Sequence, residues 1–227
     1  MDTLIAQDLL LLLLEDESGK LTNTGHLDIG IGGAMLVELA LAGSVEVGER
    51  PGRWAKAKVR ATGTDPGPDP VLQEALAQVA EKERDAESLV GRLGKKRREE
   101  LLTRLVELGV LRREDGTVLG LFPRTRWPAA DGAHESEVRR RLSDVLVAGT
   151  TPDERTAALV ALLSALDLAH KVIDREGLPA REVKARAKEI ADGDWAAKAV
   201  KDAVQAAQAA VAAATIAATT AATTTST

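Results

Sequence analysis

The chain has no cysteine, no tyrosine and a single phenylalanine. Without cysteine there can be no disulfide, no thiolate metal ligand and no cysteine nucleophile. Aromatic residues make up only 2% of the 227, so the flat rings on which nucleic-acid bases stack are scarce. The core is left to Leu, Val, Ile and Ala, which suit helix bundles. Long apolar runs are missing as well. Residues 9–14 are apolar but lie between Asp8 and the acidic Glu15, Asp16 and Glu17, far short of the ~20 residues a membrane-spanning helix needs. Asp2 stands where a secretion signal would be positive, and no small-residue cleavage site follows, so a cytoplasmic protein is expected. Positive charge is not in excess either. The net charge is −5 and the pI is near 5.4, which leaves any contact with an anionic surface to a local basic cluster acting within about 8 Å.

What is present, 44% apolar and 29% charged residues, fits one soluble globular domain. Residues 3–16 read as a helix apolar on every face, with Asp2 or Thr3 as its N-cap. Residues 18–33 hold five glycines and read as a loop. A second helix over 34–42 is ended by Gly43. Alternation then predicts a hairpin from 44–47 and 57–61, with Arg50, Arg53, Trp54, Lys56 and Lys58 at or near its tip. After a proline-rich loop at 63–70, helical spacing covers 71–90 and 94–108. A second hairpin is expected from 110–113 and 117–122, turning at Asp115-Gly116. Leu36-Val-Glu-Leu39 and Leu105-Val-Glu-Leu108 each precede a glycine and an alternating strand, which suggests one helix-hairpin unit used twice. Helices over 134–147, 152–173 and 179–191 follow, then an Ala-rich helix and a Thr-rich end.

His26, His134 and His170 are not spaced as metal ligands, and no nucleophile, base and orienting acid fall together. Gly30-Ile-Gly-Gly33 has the look of a phosphate-cradling turn, but no strand precedes it and tight helix packing is the favoured explanation. Lys95-Lys96-Arg97-Arg98 is the one run of four cations. At a helix start those charges oppose the macrodipole by ~0.3–1 kcal/mol each, so an anionic partner is expected there. Arg124, Arg126 and Trp127 make a second basic site suited to a wet interface.

Residues 3–16, 33–43 and 105–111, in this order and spacing, resemble the Golgi phosphoprotein 3 family. The resemblance implies a mostly helical, single-domain protein peripheral to membranes. Eukaryotic members bind phosphatidylinositol 4-phosphate and help to retain glycosyltransferases in the Golgi. The family's lipid pocket uses a tryptophan and an arginine before the second helix, and two arginines three apart at the start of a later helix. The latter pair falls on Lys95 and Arg98, whereas the tryptophan falls near Asn23 and the arginine on Gly32. Lys95 keeps a positive charge without the guanidinium fork. The family also touches the bilayer through an apolar hairpin. Here Val118, Leu119, Leu121 and Phe122 would supply it, with Asp115 and Gly116 at the tip opposing deep insertion.

The expected fold is therefore mainly α, a single-domain helical bundle with two short β-hairpins. It would comprise a helical domain over 1–191, an Ala-rich helix over 192–218 and a disordered tail over 219–227. The expected function is non-enzymatic and cofactor-free: docking on an anionic phospholipid headgroup at a membrane surface through Lys95 and Arg98. Asn23 and Gly32 occupy the remaining pocket positions, and Arg53, Trp54, Arg124, Arg126 and Trp127 form the rim. The alternatives are a self-associating or protein-binding scaffold without lipid affinity and, less favoured because of the acidic pI, a winged-helix DNA binder.

Overall fold

The computed structural model describes residues 3–15, 18–22, 24–48, 56–118 and 122–224. The fold is mainly α with short antiparallel hairpins. Its first helix, α1 (Ile5–Leu11), is buried along its whole length. It is shorter than its apolar run predicts, because the chain turns at Leu12 and Leu14 bridges back to Leu21. Its start is capped from within by Gln7, whose Oε1 accepts the Leu4 N–H at 2.9 Å.

Helix α2 (Leu27–Leu41) forms the centre, with α1, α3 (Pro70–Ala80), α4 (Ala86–Gly94), α7 (Glu154–Ala165) and α9 (Lys198–Thr224) packed around it. It starts seven residues before the expected position, so Gly30, Gly32 and Gly33 are helical rather than part of a loop. They serve close packing. A Cβ on Gly32 would lie 1.9 Å from the Val90 carbonyl oxygen, and one on Gly94 would lie 1.7 Å from that of Asp28. The backbones of α2 and α4 therefore touch, with glycine on both sides.

After α2 the chain forms a three-stranded antiparallel sheet, β1 (Val45–Val47), β2 (Lys58–Ala61) and β3 (Arg84–Asp85), in that order. The last strand interrupts what the apolar spacing predicts as one helix over 71–90. Arg84 Nη1 donates to the carbonyls of Gln78 and Lys82 near the end of α3, and Asp85 caps α4 by accepting the Ser88 N–H at 3.1 Å. Asp69 caps α3 in the same way and also pairs with Arg104, tying α3 to α5 (Arg98–Glu107).

The repeated unit is visible in its caps. Gly43 and Gly109 both adopt positive φ, +71° and +75°. Ser44 N–H bonds to the Leu39 carbonyl and Val110 N–H to the Leu105 carbonyl, each at 2.9 Å, the bond that closes a helix ending in a left-handed glycine. Beyond α5, however, β4 (Glu114–Val118) pairs with β5 (Phe122–Arg126). Asp115 and Gly116 are thus inside a strand, opposite Thr125 and Arg124, and not at the turn. The connection between the strands, with Leu119 and Leu121, lies outside the described residues.

Helices α6 (Ala133–Leu146), α7 and α8 (Ala180–Asp192) complete the body. The predicted helix over 152–173 ends early, at Ala165, and Asp167 takes a positive φ of 55° just beyond. The Ala-rich α9 lies against α2, α4, α7 and β1, burying Ala203, Val204, Ala207, Ala210 and Val211. It continues to Thr224, into residues whose composition suggests a disordered tail.

Candidate functional site

The four-cation run does not lie along one helix. Helix α4 stops at Gly94, Lys95 and Lys96 form a turn, and Arg97 is the N-cap of α5. Lys96 is in the left-handed region with φ +61°, a conformation that costs a residue with a side chain about 1–2 kcal/mol. The Arg97 side chain folds inward, 8% exposed, and makes ion pairs of 2.7 Å with Glu74 and with Glu100. Burial works against its charge, but the two carboxylates outweigh burial and raise its pKa. Arg97 is therefore structural, and the three remaining cations face outward.

Lys95, Lys96 and Arg98 line one side of a cleft of about 750 Å³ together with Leu21, Asp28, Glu99, Leu102, Thr125 and Trp127. Lys95 and Lys96 are exposed, and neither makes a side-chain hydrogen bond or ion pair among the described residues. Arg98 is held by Asp28, Nη2 to Oδ1 at 3.0 Å, while its Nε is buried without a hydrogen-bond partner. Such an unsatisfied donor costs roughly 1–3 kcal/mol.

The apolar wall is Trp127, 7% exposed, with Leu102 at 2%. The backbone N–H of Trp127 donates to the Gly19 carbonyl at 3.0 Å. Gly19, at φ +59°, approaches so closely that a Cβ there would be 2.6 Å from the Trp127 backbone nitrogen. The Arg113 guanidinium carbon stands 5.4 Å from the Trp127 ring centroid and pairs with Glu99 at 3.4 Å. The cleft thus presents three cations, two carboxylates and one indole.

Two of the expected headgroup residues, Lys95 and Arg98, meet here, and Trp127 stands as a wall rather than a rim. Gly32 does not line the cleft. It is spent on the contact with Val90, where no side chain fits. Asn23, Arg53 and Trp54 lie outside the described residues. Arg124 and Arg126 alternate with Thr125 and Trp127 along β5 and its end, and neither lines the cleft. Sequence reasoning missed Asp28 as a member of the site. It lies within the glycine-rich segment, and only the early start of α2 reveals that it sits one helical turn before Gly32.

A second cleft, of about 410 Å³, is lined by Thr3, Asp8, Leu108, Val110, His134, Arg141 and Arg155. His134 Nε2 is 2.8 Å from Asp8 Oδ1 and 3.0 Å from Thr3 Oγ1. A carboxylate only accepts, so Nε2 carries the proton and cannot take one from Thr3. The trio is not a nucleophile with its base. Burial pushes the Asp8 carboxyl up, but His134, Thr3 and Arg155 outweigh it and leave the pKa below the usual value. Burial dominates at Glu38 and raises it despite Arg155 at 2.6 Å. Arg155 also donates to the Thr3 carbonyl, so the group fastens α1 to α2 and α7.

A family model described as Golgi phosphoprotein 3 (GPP34) matches residues 5–207, a span that includes every residue of the larger cleft. No curated protein matches the chain. Among the described residues, no helix is long and apolar enough to cross a membrane.

Proposed function

The chain belongs to the Golgi phosphoprotein 3 family, and on that premise we propose that it is a non-enzymatic peripheral membrane protein. It would bind an anionic, phosphoinositide-type headgroup in the cleft of Lys95, Lys96, Arg98 and Trp127, from the cytoplasmic side. The observation that carries this reading is the turn between α4 and α5. It places two lysines without partners among the described residues, one of them at positive φ, beside an arginine whose Nε is buried without a partner. A strained, non-glycine residue at a cleft is a reason to look for a ligand there.

Family residues are absent from two pocket positions, so affinity rests on few contacts. Each cation near the surface contributes about 1 kcal/mol toward anionic lipid, which makes binding weak and salt-sensitive. Sedimentation with neutral and anionic vesicles at low and high salt tests the proposal. Recruitment to anionic vesicles only, weakened by salt and by Lys95→Gln with Arg98→Gln, is the expected result. Equal recruitment to both vesicle types, or indifference to the double substitution, overturns it.

A further inference from the structure

We infer that the second cleft, at Arg141, Leu108 and Val110, binds a monocarboxylate that carries an aliphatic group. It shares no lining residue with the lysine cleft, and its volume of about 410 Å³ lies in the range of small-ligand pockets. Arg141 carries the inference. Its side chain is 31% exposed, yet it makes no hydrogen bond among the described residues, and its Nε is buried without an acceptor. Its ion-pair partner, Glu137, stands 3.7 Å from that Nε and is already gripped by Arg140 through both oxygens, at 2.7 and 2.9 Å. Other arginines covered to the same degree are better served. Arg139, 32% exposed, bonds to Glu135 and to the Val172 carbonyl. Arg155, 31% exposed, bonds to Glu38 and to the Thr3 carbonyl.

The charges around the cleft select the ligand. Arg155 lies between Glu38 at 2.6 Å and Asp8 at 3.5 Å, so those three groups are engaged with one another and Arg141 is the cation left over. A carboxylate matches it with a single charge, and its two oxygens fit the guanidinium fork. A phosphate dianion is the poorer match. Removing an ion from water costs more the higher its charge, and Asp8 in the same lining repels the dianion more strongly. The apolar part of the lining comes from Leu108 and Val110. Leu108 is 37% exposed, the large aliphatic side chain left open among the described residues. It ends α5, just before Gly109 turns the chain. An aliphatic group on the ligand would cover it while the carboxylate meets Arg141.

The test is isothermal titration calorimetry with sodium hexanoate, and with hexanol, acetate and hexyl phosphate as comparison probes. Hexanoate should bind at one site. Hexanol should bind about tenfold more weakly or worse for want of the charge-assisted bond, and acetate more weakly for want of the apolar contact. Arg141→Gln should weaken hexanoate binding by about tenfold and leave hexanol unchanged. Arg141→Lys, which keeps the charge without the fork, should fall between. Leu108→Ser should weaken hexanoate and hexanol alike. Lys95→Gln with Arg98→Gln should change neither, because those residues line the other cleft. Thermal unfolding establishes that each variant is folded.

Equal affinity for hexanoate and hexanol overturns the inference, as does hexanoate binding that survives Arg141→Gln and Arg141→Lys undiminished, or tighter binding of hexyl phosphate. A carboxylate beside an aliphatic group occurs in fatty acids and at the end of a polypeptide chain. The peptide acetyl-Gly-Gly-Leu, with a free or an amidated end, separates the two sources. Tighter binding of the free-ended peptide than of hexanoate, with no binding of the amidated form, assigns the cleft to a chain terminus. Tighter binding of hexanoate assigns it to a small carboxylate. Binding of neither removes the proposal, and leaves the headgroup reading of the other cleft standing.

Discussion

A Cβ on Gly32 would stand 1.9 Å from the carbonyl oxygen of Val90, closer than two unbonded atoms can approach. The obstacle is backbone, so no rotamer change relieves it, and α2 and α4 would have to separate. Gly32→Ala should destabilise the protein by about 3 kcal/mol, read by urea unfolding. Gly32→Arg, which places the family's arginine at this position, should be at least as destabilising and should not improve lipid binding. Tighter vesicle binding by a folded Gly32→Arg protein would show that the α2–α4 contact can open.

This contact also shows how far the sequence could be read. Apolar spacing is enough to locate α5, α6 and α8 to within a few residues, because one buried stripe recurs at helical period. Glycine is ambiguous: it marks a flexible turn and a helix crossing with the same letter. Residues 30–33 therefore look like a loop until Val90 and Gly94 are seen against them. The split between α3 and α4 was hidden for another reason. It depends on Arg84 reaching back to Gln78 and Lys82, a tertiary choice with no periodic signal.

The site was half legible. The run from Lys95 to Arg98 is conspicuous in an acidic chain, but charge alone does not reveal that Arg97 turns inward to Glu74 and Glu100. Asp28, Arg98 and Trp127 come from three separate elements, and only their packing brings them to one cleft.

The cluster of Asp8, Glu38 and Arg155 predicts a two-sided pH dependence. Asp8 has a folded pKa below its ordinary 3.8, so its contribution is present above that value and is lost as pH falls through the lower folded pKa. Glu38 has a folded pKa above its ordinary 4.5. Its contribution is greatest below 4.5 and declines as pH rises through the higher folded pKa. Urea unfolding across a pH series should show Asp8→Asn losing less stability than wild type on the acid side, and Glu38→Gln losing less as pH rises above 4.5. Arg155→Ala leaves Asp8 its bonds to His134 and Thr3 but leaves Glu38 only the Ile5 N–H, and loss of the half-buried cation should cost about 3 kcal/mol.

Trp127 provides a direct report on the cleft. The chain has three tryptophans, so Trp54→Phe with Trp195→Phe leaves Trp127 as the sole emitter. Its ring is a wall of the cleft and lies under Arg113. A phosphate entering among Lys95, Lys96 and Arg98 changes the field at the indole. Emission should therefore shift on adding phosphatidic acid vesicles and stay unchanged in the same background carrying Arg98→Gln. An identical shift in both proteins would place the bound lipid elsewhere on the surface.

Lys96 allows stability and binding to be separated in a single variant. Its positive φ of 61° suits glycine, which lacks the Cβ that clashes in that region, and the exposed side chain has no partner among the described residues to lose. Lys96→Gly should stabilise the fold by up to about 1 kcal/mol. The same substitution removes one cation from the cleft and should weaken binding to anionic vesicles by about fivefold, the equivalent of ~1 kcal/mol. Thermal unfolding and vesicle sedimentation on one preparation therefore move in opposite directions. If stability rises while binding is untouched, the lysine is a tolerated misfit in a turn. If both change as expected, the strained backbone is retained because the ammonium group it carries meets the ligand.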